Sequence, residues 1–190
     1  MLVFLFLPFM AMAQIEDARA LKVAYYGDFF SHPGIKIGYE IPLKYRLKTK
    51  ERKGVSRSKH KIQLLELSTA FYFHQDNHYG LLLLPAYTFR KIRANGKKQD
   101  WSIGLGYHRS FLTGPTYSSN EQGEFSIKKG AGQNTVFTSL TYALGRDYRW
   151  TKQKPWAWDI AFGVNARAPY NSSILFGIHT HLGVSYFLNH

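Results

Sequence analysis

The stretch "GIKIGYEIPLKYRLK", residues 34–48, alternates between two kinds of side chain without a break. Apolar side chains occupy the odd positions from Ile35 to Leu47, and the even positions hold charged residues, two glycines and Pro42. A period of two places these sets on opposite faces of a β-strand. At about 3.3 Å per residue the run rises roughly 45 Å, enough to cross a bilayer core at a tilt of about 45°. The stretch therefore predicts a membrane-crossing strand with one apolar and one ionic face.

Seven more segments show the same alternation, and the joints between them carry Gly, Pro, Asn, Asp and Lys, as turns do. No helical period of useful length and no second domain appear. The sequence therefore predicts an all-β fold, an eight-stranded antiparallel up-and-down transmembrane β-barrel over residues 14–190. The further strands are expected near 20–27, 62–74, 79–91, 101–112, 135–144, 156–167 and 174–188.

The N-terminal segment has the features of an export signal. Residues 1–13 are apolar and end in Ala11-Met12-Ala13, which fits the small-x-small pattern of signal peptidase sites. The segment lacks a positive n-region, so the true start of the signal is expected upstream. We predict cleavage after Ala13, which leaves the net charge of +13 unchanged; the alternative is that the segment forms a buried N-terminal strand or helix.

Aromatic residues make up 16% of the chain and collect toward both ends of the apolar faces, around an aliphatic middle. Amphipathic rings prefer the boundary between hydrocarbon and water, so two such belts indicate a bilayer. A soluble lipocalin-like carrier, which would turn its apolar face inward, remains an alternative. One predicted belt comprises Tyr45, Tyr87, Phe89, Trp101, Tyr142, Trp156, Trp158 and Tyr186, and the other Phe71, Phe73, Tyr79, Phe111 and Phe176.

The last of these strands ends the chain with "LGVSYFLNH", which has aromatic residues close to its end. With the eight alternating strands, this makes residues 14–190 resemble the small eight-stranded outer-membrane β-barrels of Gram-negative type. That class includes the OmpA transmembrane domain, OmpX and the lipid A deacylase PagL. The resemblance implies an outer-membrane protein surrounded by lipid. We predict a non-enzymatic structural or interaction role for it, as in an accessory subunit of an envelope complex.

The polar faces of the strands hold the candidate chemistry. An eight-stranded barrel has an interior just filled by side chains, so a conducting pore is not expected and interior charges should pair. If the hairpin around Gly54 is regular, Lys44 lies beside Glu66. The last hairpin places Asp159 opposite His179 and His181, an arrangement suited to orienting a general base, to binding a metal, or simply to filling the interior with hydrogen bonds.

His108-Arg109-Ser110 resembles the His-x-Ser motif of PagL-type deacylases, which implies a lipid-modifying hydrolase as the alternative function. In that family the motif lies on the lipid-facing surface. Here the alternation places His108 and Ser110 on the interior face and turns Arg109 to lipid, and no Asn follows Ser110. The catalytic candidates are therefore His108, Ser110, Asp159 and His181.

Cysteine is absent, which excludes disulfides and thiol chemistry, and no cofactor or resident metal is indicated.

The distribution of charge along the chain predicts one strongly basic end. The basic residues fall between strands and match no nucleic-acid motif. With the C-terminus in the periplasm, they surround the periplasmic turns, where they would attract anionic lipid or an acidic periplasmic protein, or would form a solvated rim that anchors the barrel vertically. This predicted rim includes Arg52, Lys53, Arg57, Lys59, Lys97, Lys98, Arg149 and Lys152.

The longest interval between predicted strands is residues 113–133. Long loops of such barrels face the cell exterior, so we expect this segment to be an exposed surface loop.

Overall fold

The computed structural model describes all but the N-terminal segment, the two C-terminal residues and several short connections. The predicted signal peptide, residues 1–13, lies outside the described residues. Within the described residues, no helix is both long enough and apolar enough to cross a membrane. The structure describes residues 19–27, 33–52, 55–75, 77–119, 122–123, 125–127, 130–170 and 173–188.

Eight long strands form the main sheet, and each coincides with one of the predicted alternating segments. Between β5 and β8 lies a separate two-stranded hairpin of β6 (Tyr117–Ser119) and β7 (Phe125–Ile127), and α1 (Arg149–Lys152) follows β8. The strands of the main sheet are β1 (Ala20–Gly27), β2 (Gly34–Arg52), β3 (Val55–His74), β4 (His78–Arg93), β5 (Lys97–Leu112), β8 (Asn134–Asp147), β9 (Trp156–Tyr170) and β10 (Ser173–Phe187).

The main sheet closes into a barrel in the order β1-β10-β9-β8-β5-β4-β3-β2. Every neighbouring pair is antiparallel, and β1 joins the ring by pairing with both β2 and β10. The predicted eight-stranded antiparallel barrel is therefore confirmed. We call the end where β2, β4, β8 and β10 finish the basic end, and the opposite end, which carries residues 113–133, the loop end.

The apolar faces of the strands point outward and the polar faces point inward. Leu83, midway along β4, exposes 51% of its surface, and Leu105 on β5 exposes 61%. Glu40 and Asp159, in contrast, are fully buried inside the barrel. The lipocalin-like alternative is therefore wrong, because such a carrier needs an apolar interior and a polar exterior.

The sequence pattern fails at one point on β2, where a β-bulge interrupts the alternation. Pro42 pairs with Leu64, but the next pair is Lys44 with Gln63, so Leu43 is the extra residue. Proline has no N–H to donate to a sheet, and bulges are among the few sites in a strand that tolerate it. Beyond the bulge the faces are exchanged: Lys44 and Arg46 point outward, not into the interior as predicted.

The same bulge removes one member of the predicted aromatic belt. Tyr45 now shares the inner face, and its hydroxyl lies 2.7 Å from Nδ1 of His60 on β3. Tyr87, Trp101 and Trp158 remain on the outer face, where each is at least one-third exposed. Ring pairs such as Trp101–Tyr142, with centroids 4.7 Å apart, continue the belt from strand to strand.

The connection between β2 and β3 and the connection between β5 and β8 differ from the sequence prediction. In the first, basic residues that we expected in a turn belong to the strands, because β2 and β3 stay paired as far as Arg52 and Val55. The next turn at this end is tight, with Gly96 at a φ of 77° after Asn95, a backbone conformation that glycine adopts without strain. At the loop end, part of residues 113–133 forms the β6–β7 hairpin, whose Phe125 is 77% exposed.

Candidate functional site

The centre of the barrel holds a group of fully paired charges, which we call the charge cluster. Seven of the eight barrel strands contribute to it, and each of its carboxylates contacts at least one cation. No side chain in it is more than 8% exposed. Positive and negative groups balance apart from the histidine. The members are the cations Lys22, Lys36, Arg90 and Lys98, the carboxylates Glu40, Glu66, Asp100 and Asp159, and His181.

Arg90 connects strands that are not neighbours in the sheet. Its Nη1 and Nη2 atoms each lie 2.7 Å from a different oxygen of Glu40 on β2, two strands away. The same guanidinium donates to Asp100 on β5, with an Nη2–Oδ2 distance of 2.9 Å. Paired, bidentate geometry of this kind gives arginine–carboxylate contacts both strength and direction. Arg90 therefore fastens β2, β4 and β5 across the interior.

Asp159 is the second centre of the charge cluster. Its Oδ1 accepts from Nζ of Lys22 at 2.8 Å and lies 3.0 Å from Nε2 of His181, and its Oδ2 accepts from Nζ of Lys98 at 2.6 Å. The structure thus brings together Asp159 and His181, the pair considered for catalysis. Because Lys22 and Lys98 also occupy the carboxylate, and all four groups are buried, the geometry is that of an ion cluster closed to substrate.

The predicted contact between Lys44 and Glu66 does not form. Glu66 pairs instead with Lys36 on β2, with an Nζ–Oε1 distance of 2.5 Å. Lys44 lies on the outer face because of the bulge at Leu43. Lys36 was visible in the sequence as a polar-face residue, but the shear of the barrel, which selects its partner, was not.

An apolar layer fills the interior on the loop side of the charge cluster. It consists of side chains from β1, β3, β4 and β8. The cavities beside the charge cluster and within this layer have volumes of only about 20 and 30 Å³, room for one or two waters each. The ring of Tyr72 fits into the apolar layer because residue 80 is glycine: a Cβ on Gly80 would lie 2.1 Å from that ring. The layer comprises Tyr26, Ala70, Tyr72, Leu82, Leu84 and Phe137.

A wider cavity of about 770 Å³ opens at the loop end, beyond the apolar layer. His108 lines it, but both ring nitrogens are engaged: Nε2 lies 2.8 Å from the hydroxyl of Tyr72 and Nδ1 lies 3.0 Å from that of Thr135. The hydroxyl of Ser110 accepts from the backbone N–H of Gln133 at 2.9 Å. His108 and Ser110 share the interior side, as the alternation predicts, yet each is bonded elsewhere.

Among the described residues, no group of three His, Asp or Glu side chains has the geometry to hold a metal ion.

Arg109, the residue between His108 and Ser110, points outward. Its guanidinium donates to Oδ1 of Asn134 and to the backbone oxygen of Gly130, both at 2.8 Å. Arg109 therefore fixes the loop that follows β5 to the start of β8.

At the basic end, α1 packs against the barrel. Trp150 stacks on His60 of β3 with ring centroids 3.6 Å apart. Arg149 donates from Nη2 to Oδ2 of Asp147 at 2.7 Å, and its guanidinium carbon lies 3.2 Å from the ring centre of Phe187. These contacts hold α1 against the mouth of the barrel, and Arg149 is fixed between Asp147 and Phe187 and is not a solvated rim residue.

The predicted basic rim is only partly a rim. Lys98 is 1% exposed and belongs to the charge cluster, which contradicts its placement there. Lys97 and Lys152 are exposed at the basic end, and Lys59 is half-buried. Arg52 and Arg57 lie in the paired ends of β2 and β3, and Lys53 falls outside the described residues.

No protein-family model matches the sequence, and no curated protein matches it. Among solved structures, the chain is similar to the beta domain of the Bordetella autotransporter Brka, with 14% sequence identity and a TM-score of 0.40. The match covers 88% of this chain and 66% of that chain. The assignment of the fold rests on the strand register and the closure of the sheet described above.

The Lys36–Glu66 pair allows a direct test of charge balance inside the barrel. Lys36→Met should lower the free energy of unfolding by about 3–5 kcal/mol, because it leaves a buried carboxylate without its cation. Lys36→Met/Glu66→Leu should recover most of that loss, since a buried ion pair can be replaced by apolar residues at little cost. Urea unfolding in detergent micelles measures both, with the exposed Lys97→Met as the control. A double variant as unstable as the single one would contradict the pairing.

Proposed function

We propose that the protein is a non-enzymatic outer-membrane β-barrel with a filled interior and a structural or interaction role, as in an accessory subunit of an envelope complex. The observation that carries this proposal is the inversion of polarity: apolar side chains cover the outside and balanced charges fill the inside. In water this arrangement would expose a large apolar surface at high cost. In a bilayer it is the favoured one, because a closed barrel leaves no unpaired strand edge in hydrocarbon.

The interior supports a role that involves neither conduction nor catalysis. Ions crossing the barrel would have to pass the charge cluster and the apolar layer, which contain cavities of only about 20 and 30 Å³. The catalytic candidates are occupied by structural hydrogen bonds, so the lipid-modifying hydrolase gains no support from this geometry. Surfaces at the two ends and on the outer face are left for interactions.

The orientation follows from the lengths of the connections. Barrels of this type have short periplasmic turns and longer exterior loops. The described parts of residues 113–133, with the β6–β7 hairpin, lie at the loop end, whereas the turn between Arg93 and Lys97 lies at the basic end. We therefore propose that the loop end faces the exterior and the basic end faces the periplasm.

The absence of cysteine makes this orientation measurable with single-cysteine variants. In intact cells, a membrane-impermeant maleimide should label Phe125→Cys in the loop-end hairpin. It should label Lys152→Cys, on the exposed surface of α1, only after the outer membrane is permeabilised. Labelling is read by mass shift, with the cysteine-free parent as the control. The reverse pattern would invert the orientation, and equal labelling of both in intact cells would argue against membrane insertion.

The filled interior predicts that the barrel does not conduct. Lipid vesicles containing the folded protein should retain a small-ion gradient as long as protein-free vesicles do, because the charge cluster and the apolar layer close the interior. A large-pore porin, reconstituted in parallel, shows that the assay detects conduction. A leak that grows in proportion to the amount of folded protein would refute a filled barrel.

A further inference from the structure

Two rows of like charges cross three neighbouring strands on the outer face, near the basic end. In the first row, Arg46 on β2 is directly opposite Lys61 on β3, and Lys61 is directly opposite Lys91 on β4. Like charges that face each other across strands repel, so each row lowers the stability of the sheet unless something neutralises it. The second row, two residues nearer the basic end, consists of Lys48, Lys59 and Arg93.

Within the described part of the chain, no carboxylate neutralises the first row. Inside the barrel each cation of the charge cluster has a carboxylate partner, but none of the ion pairs formed by the described residues includes Arg46, Lys61 or Lys91. The contrast between the paired cations of the charge cluster and this row of cations without carboxylates indicates that the outer cations serve an anionic partner.

A groove with an aromatic floor lies beneath these cations. Its cavity measures about 370 Å³ and is lined by the first row together with Phe89, Trp101 and Tyr142. We call it the basic groove and define it by Arg46, Lys61, Lys91, Phe89, Trp101 and Tyr142.

Hydrogen bonds hold the floor of the basic groove in place. The side chain of Gln99 donates to the hydroxyl of Tyr142 at 3.2 Å, and the hydroxyl of Tyr87 donates to Gln63 at 3.0 Å. On the side facing the middle of the barrel, the next residue on β5 that points outward is Ile103, which is 61% exposed. The basic groove therefore has a charged edge toward the basic end and an aromatic floor in its middle. Its opposite edge continues into the aliphatic outer face of the barrel.

The β-bulge at Leu43 is what completes the charged edge. Without the extra residue, Arg46 would point into the interior and Leu47 would point outward. The bulge thus moves Lys44 and Arg46 to the outer face, beside Lys61 and Lys91. The interior is already filled by the charge cluster and, among the described residues, has no carboxylate left for these two cations. On the outer face they extend the row of basic residues from β3 and β4 to β2.

We propose that the basic groove binds the phosphate headgroup of an anionic glycerophospholipid, whose acyl chains lie along the aliphatic outer face next to Trp101. This inference rests on the proposed function, because it requires the barrel to be in a bilayer. The order of the three zones matches the lipid: phosphate at the cations, glycerol at the amphipathic rings and hydrocarbon below them. A soluble acidic protein would match the cations but not the apolar continuation.

Quenching of Trp101 by brominated lipid measures occupancy of the basic groove. Trp150→Phe, Trp156→Phe and Trp158→Phe together leave Trp101 as the single tryptophan. Folded protein is reconstituted in vesicles of phosphatidylcholine and phosphatidylglycerol, with bromine on the acyl chains of one or the other at equal mole fraction. We expect a preference of at least about fivefold for phosphatidylglycerol, since one basic residue near an anionic surface contributes about a factor of five.

The matched variants separate the basic groove from the general charge of the basic end. Arg46→Gln/Lys61→Gln/Lys91→Gln should lose the preference. Lys97→Gln/Lys152→Gln/Lys154→Gln removes the same charge from exposed positions at the same end and should keep it. Sodium phosphate and sodium sulfate at equal ionic strength should reduce the preference equally by screening.

Each outcome decides the proposal. Parent protein that inserts but shows no preference, or equal losses in the two triple variants, would overturn the lipid site while leaving the membrane barrel intact. A loss caused by phosphate but not by sulfate would identify a soluble phosphate ligand instead and would also overturn it. Failure of the parent protein to insert into vesicles would reject the proposed function itself.

Discussion

Closure of the sheet with only eight strands is the constraint on which the rest of the structure depends. Such a ring encloses a space that side chains just fill. Once β1 pairs with both β2 and β10, every second residue of every strand must fit into that space. Charges placed there are out of reach of bulk water, so each needs a partner within the barrel. The balance of cations and carboxylates in the charge cluster is the consequence, and small residues such as Gly80 make room for large ones such as Tyr72.

The charge cluster also accounts for how the barrel is held together across its interior. Hydrogen bonds of the sheet join only neighbouring strands, whereas Arg90 joins β4 to β2 and Lys98 joins β5 to β9. These contacts tie together strands that are separated by one intervening strand, which the hydrogen bonds of the sheet do not do. A buried ion pair adds little net stability but strongly penalises a wrong register, because a slip would leave its members unpaired. In our account, the interior polarity serves to specify one barrel.

The sequence predicted the strands, their faces and their number, because period-two alternation is a local property that survives folding. It did not predict the partners in the charge cluster, since these depend on how far adjacent strands are sheared. The error at Lys44 has a local cause that the sequence did contain: Pro42 interrupts a paired strand and is accommodated by a bulge. The basic residues were assigned to turns because charge alone does not distinguish a turn from a paired hairpin end, and the basic groove was therefore missed.

The central claim is that the aliphatic outer face lies in hydrocarbon, and the cost of burying one arginine there tests it most directly. Leu83→Arg places a charge midway between the aromatic belts, and Leu144→Arg places the same change on the outer face near the basic end. Measured by denaturant unfolding from lipid vesicles, Leu83→Arg should cost about 2–4 kcal/mol and Leu144→Arg about 0–1 kcal/mol, because the penalty falls toward the interface. Equal costs at the two depths, or no cost at Leu83, would contradict the account.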